Sequence, residues 1–161
     1  MSEIKTTAEA VEDAILPDAR VIHADTGTAE TVEAKPLPPE MCEVPVDQKS
    51  PAEWAYERLV LYIRNFEEQL DSDHEVAMGF AGGDLGVMRI MGIGFFAPDM
   101  ITFYGADDDG VKSQLVQHVS QLNVMLRAVR KEDGDKAANR IGFRLAAAIE
   151  SGAKGKPRPK G

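Results

Sequence analysis

The feature that most constrains this chain is a change of hydrophobic period at residues 71–73. Before it, "SPAEWAYERLVLYIRNFEEQL" places Tyr56, Leu59, Ile63, Phe66 and Leu70 at steps of three and four, along one face of a helix. Ser50 suits the N-cap, Pro51 the first helical position and Glu53 the third, a capping box. Trp54, Val60 and Leu61 widen the apolar surface beyond one stripe, so more than one neighbour is expected to cover it.

After the break the runs are short and β-like. "HEVAMGFAG" reads as a strand ended by "GGD", where glycines permit a tight reversal. "GVMRIMGIGFF" reads as a second strand, in which Gly92 and Gly94 imply a bend or a close backbone approach. "APD" breaks it, "MITFYG" is a third strand and "ADDDG" its turn. "KSQLVQHVS" and "NVMLRAV" complete five strands, with an irregularity near Gln121 to Asn123. A helix over 114–129 competes, because Leu115, Val119, Leu122 and Leu126 also share a helical face. "KEDGDK" then separates a last amphipathic helix, "AANRIGFRLAAAIE", expected to end at Gly152.

Composition bounds the rest. A chain of 161 residues has room for one domain and tails. Residues 1–49 read as a leader without its own core: acidic, with the threonine-rich "TGTAETVEA" and the proline-bearing "KPLPPE". Within it "AEAVEDAIL" is too short to hold a helix alone. The folded region is then 50–131, the last helix lies in 132–151, and 152–161 is a flexible basic tail. One cysteine, no apolar signal core and no uncharged long helix imply a cytoplasmic chain with no membrane partner.

The formal charge of −9 is uneven: eleven acids against four bases over 1–50, thirteen against seven over 51–132, three against seven over 133–161. An acidic body disfavours nucleic acid, which needs a basic surface to release counterions. Asp107 to Asp109 lack the alternating ligands of a calcium loop, and "GGDLG" lacks the Lys-Ser/Thr ending of a phosphate loop. His23, Cys42, His74 and His118 are too scattered for zinc. No catalytic residue, metal or cofactor is expected.

One helix followed by five short bent strands resembles the Sm-like barrel family, which includes the Sm proteins and the bacterial RNA chaperone Hfq. The residues carrying the resemblance are Gly92 or Gly94 and Asp99 in "RIMGIGFFAPD", and "LVQHVS", which is similar to that chaperone's Tyr-Lys-His-Ala-Ile-Ser. His118 takes the histidine place and Gln117 stands where the lysine would be. "QHVSQL"-type segments also resemble small bacterial proteins of no known activity. The resemblance implies an α+β fold that is mainly β: an N-terminal helix, a five-stranded bent antiparallel barrel and a C-terminal helix. It also implies rings closed by strand four of one copy on strand five of the next. On that basis the chain is a non-enzymatic module acting by self-assembly or protein contacts. The alternatives are a ring binding single-stranded RNA through Gln117, His118, Phe103 and Tyr104, and an unrecognised enzyme or small-ligand binder, which would need a well-formed pocket.

Overall fold

The computed structural model describes residues 18–25, 27, 30–80, 86–132, 134 and 136–153. The leader helix over 8–16, the reversal at 82–84 and the tail from 154 onward lie outside the described residues. The elements run α1 (Pro39–Cys42), α2 (Pro51–Glu67), β1 (His74–Phe80), β2 (Val87–Phe96), β3 (Met100–Ala106), β4 (Lys112–His118), β5 (Val124–Arg130) and α3 (Ile141–Ala153). Single 3-10 turns lie at Val32–Ala34, Val46–Gln48 and Val119–Gln121. Among the described residues no helix is long and apolar enough to cross a membrane.

α2 starts where its cap predicts. The Ser50 side chain accepts from Glu53 N at 3.1 Å, and Ala52 N, another donor without an intrahelical partner, reaches Pro98 O at 3.0 Å. Ile63 is fully buried, and Tyr56, Leu59, Phe66 and Leu70 are partly buried against the core. Of the three residues expected to widen the covered surface, Val60 is fully buried, while Trp54 and Leu61 are half-buried. The core is completed from the sheet by Val76, Met78, Met88, Ile90, Ile93, Ile101 and Phe103.

All strands are antiparallel, in the order β4-β3-β2-β1-β5. The fold is therefore α+β with a mainly β centre, and 114–129 is not a helix. β2 joins two half-sheets. Val87 and Met88 pair with β1, whereas Arg89 to Phe96 pair with β3 across a bulge between Ile90 and Gly92. The tightest approach is at Gly105, which the sequence does not single out: a Cβ there would lie 2.2 Å from Arg89 O.

The sheet is not closed, which corrects the expected barrel. Four antiparallel steps separate β5 from β4, so the two edge strands run in the same sense. Pairing parallel neighbours needs a crossover of about a dozen residues, and residues 119–123 supply only a 3-10 turn and two more. That link is nevertheless taut. His118 to Val124 can span at most about 20 Å, and a flat sheet would hold β4 and β5 about 19 Å apart. The sheet must curl for so short a link, part of it 3-10, to join its edges.

Residues 32–49, read as part of a coreless leader, lie along α2 and bury Met41, with Lys49 and Glu57 paired beneath. α3 begins four residues later than the composition implies. Asn139 N donates to Glu75 at 2.7 Å and the Arg140 guanidinium to His74 O and Asp71 O, so these residues clip onto β1 instead of joining the helix. Gly142, whose Cβ would lie 2.7 Å from Arg64 N, lets α3 cross α2 closely, and α3 runs through Gly152.

Candidate functional site

Alternation along the strands divides the four residues named from the sequence. Phe103 pairs with Leu115 and is wholly buried, edge-on to Phe80 with ring centroids 5.0 Å apart. Gln117 pairs with Ile101 on the same inner side, and its Nε2 is buried without a hydrogen-bond partner among the described residues. Tyr104 and His118 face outward. Tyr104 lies beside Gly92, where a Cβ would sit 3.6 Å from the ring, so the glycine leaves room for it. His118 stands opposite Met100, four residues from Tyr104 in β3 register, or about 13 Å along the strand. The sheet thus divides the four into an inner pair, Phe103 and Gln117, and an outer pair, Tyr104 and His118.

His118 is the N-cap of the turn at Val119–Gln121. Its Nδ1 accepts Ser120 N–H at 3.0 Å, and its own N–H donates to Gln121 Oε1 at 3.0 Å, so the two caps are reciprocal. Because Nδ1 accepts a backbone N–H, the ring proton belongs on Nε2, which faces Asp99 Oδ2 at 3.2 Å. Ser120 Oγ lies 2.7 Å from Nδ1. Ser120, His118 and Asp99 therefore form a hydrogen-bonded row whose composition invites a nucleophile reading. The ring's lone pair is already shared with a backbone amide, and the His118 and Asp99 side chains are each 45% exposed, with no walls to exclude water. The row joins two turns: Val119 N also donates to Asp99 O at 2.7 Å. Composition alone does not reveal it, although the Sm-like resemblance points to both the histidine and the aspartate.

The other candidate clusters resolve into local structure. Asp107 Oδ1 accepts from Asp109 N and Val111 N, folding the β3–β4 turn on itself. Asp108 leans towards Arg89, which also pairs with Glu75 and Glu132. His74 pairs with Asp71 at 2.7 Å, and among the described residues no three His, Cys, Asp or Glu side chains converge as metal ligands.

The edges are the open chemistry of the sheet. β4 and β5 are seven residues each. Among the described residues no backbone hydrogen bond reaches the outer side of either strand between its ends. Each presents an exposed apolar side chain at its outer face, Val116 and Met125, and Phe96 and Tyr104 extend the apolar surface beside β4.

Fold and site together define a small α+β chain built on a curled, open sheet with two free edges. It belongs to the family of unknown function DUF6173, whose family model matches residues 46–144 and so spans α2, the whole sheet and the start of α3. No curated protein and no solved structure matches it.

Proposed function

We propose that this chain is a non-enzymatic interaction module that assembles by laying β4 of one copy against β5 of the next. The observation that carries the reading is the pair of free edges that cannot satisfy each other within one chain. Their common sense and short link forbid pairing in cis, and a second copy carries no such constraint. The edges match in length, and each brings one apolar residue to the seam. The contact is head-to-tail, so it closes into a ring if the rotation per copy allows and otherwise extends. This is the arrangement the Sm-like resemblance implies, and strand addition at an unprotected edge is its physical basis.

Native mass spectrometry of the purified full chain tests it. The expected result is a discrete multimer of the 17.5 kDa chain. Val116→Lys and Met125→Lys, each placing a charge at one exposed edge position, should each dissociate it. A wild-type monomer at every concentration would refute the reading. Retained nucleotide mass in the assembly would replace protein contact with RNA binding.

A further inference from the structure

Away from the sheet edges, a cavity of about 670 Å³ lies between the 32–37 stretch and the outer face of α2. Its volume is that of a small-molecule site. Val32, Leu37, Trp54, Leu59, Leu61 and Leu122 give it an apolar wall, and the free, exposed Cys42 borders it. Most of its charged groups are already engaged. The Tyr62 hydroxyl donates to the Glu33 carboxylate. That bond holds Glu33 below the usual carboxylate range, while burial and the same bond push Tyr62 up to about 12. Lys35 Nζ donates to Asn65 Oδ1 at 2.6 Å and pairs with Glu68 at 3.4 Å. Asp18 is exposed where it borders the cavity.

Arg58 differs. Its Nε donates to Trp54 O at 3.1 Å and its guanidinium lies 4.6 Å from the Trp54 ring centroid. Among the described residues no carboxylate comes within ion-pair distance of it. A guanidinium held over an aromatic ring by one Nε hydrogen bond keeps its terminal nitrogens as donors for an anion.

We propose that this cavity binds an apolar small molecule bearing a single carboxylate, with Arg58 as its counter-ion and the leucine-rich wall covering its hydrocarbon part. The site includes neither edge strand, meeting their link only at Leu122, and stands whether or not the chain assembles.

The probes are sodium decanoate and 1-decanol, each below its aggregation limit, titrated into the full chain. Trp54 is the only tryptophan and Cys42 the only cysteine, so tryptophan emission and the rate of thiol modification both report on the cavity. The expected result is saturable binding of decanoate, tighter than decanol, that shifts Trp54 emission and slows modification of Cys42. Arg58→Gln should weaken decanoate by about tenfold or more, the scale of one charge-assisted hydrogen bond, and leave decanol unchanged. Val32→Phe, which fills the cavity from the opposite wall, should weaken both probes and guards against a misfolded Arg58 variant. Equal affinity for the two probes, decanoate binding that Arg58→Gln does not change, or an emission shift without thiol protection would each overturn the proposal.

Discussion

Lys49 and Glu57 offer the sharpest test of how the N-terminal stretch is held to α2. Lys49 Nζ lies 2.9 Å from Glu57 Oε1 and donates to Met41 O at 2.5 Å, and the two side chains are only 2% and 8% exposed. At that separation and an effective dielectric of about 20, the charges attract by about 6 kcal/mol. Lost hydration costs several kcal/mol per ion, so the intact pair is close to neutral in its net effect. Glu57→Gln removes that balance. The ammonium stays buried, still bonded to Met41 and 5.1 Å from the Trp54 ring, but without an opposite charge. The expected loss is about 3–5 kcal/mol, a large share of the roughly 5–15 kcal/mol that stabilises a domain. Replacing both partners, Lys49→Met with Glu57→Leu, should return stability to within about 1 kcal/mol of the parent. Urea unfolding followed through Trp54 emission measures all three chains. A Glu57→Gln variant within about 1 kcal/mol of the parent would show that Lys49 reaches water, and the reasoning would fail.

Other outcomes follow from single contacts. Glu67 is buried beneath α3 and accepts from Gly142 N, and burial raises its carboxyl above the ordinary value against the pull of that bond and of Arg140 and Arg144. A raised folded-state pKa means that its contribution is fully present below the unfolded carboxylate value and is lost as pH rises through the folded one. Glu67→Gln should therefore flatten that segment of a stability–pH curve measured by denaturant midpoints. Gly105→Ala would drive a Cβ to 2.2 Å from Arg89 O and 2.6 Å from Met88 Cγ, and should cost at least about 2 kcal/mol by thermal melting. Gly92→Ala, whose Cβ would meet Tyr104 at 3.6 Å, should cost clearly less in the same assay. His118→Ala removes a cap and should cost about 1 kcal/mol; paired with Asp99→Ala in a double-mutant cycle it should prove non-additive, since each removes the same hydrogen bond.

The elements were legible because their signals are local. Ser50, Pro51 and Glu53 announce the start of α2, and the five strands fall within a residue or two of their apolar runs. The openness of the sheet was not legible, because it depends on strand sense counted across four pairings and on the length of the 119–123 link. The role of His118 was equally hidden. Whether a strand-end histidine caps a turn depends on the backbone two residues later, not on its apolar neighbours. The Lys49–Glu57 pair is not legible in the sequence because its lysine closes a proline-rich stretch whose composition points away from packing. The cavity is formed by two segments that sequence shows only separately. Its aromatic and cationic parts, Trp54 and Arg58, lie one turn apart on α2 and in hindsight are the one readable trace of it.

The split of β2 between two half-sheets also orders events in time. β2, β3 and β4 form consecutive hairpins, so their pairings close short loops and can form within microseconds. β1 is different: its partner β5 pairs Phe80 with Val124 and His74 with Arg130, across the full length of the sheet in sequence. During synthesis β1 emerges first yet cannot gain its outer neighbour until the rest of the sheet has been made. Closing so long a loop is the entropically costly step and sets the pace for the whole chain. Among the inner strands, the one made earliest is therefore the last to be paired on both sides, and until then the nascent chain is open to wrong partners along β1.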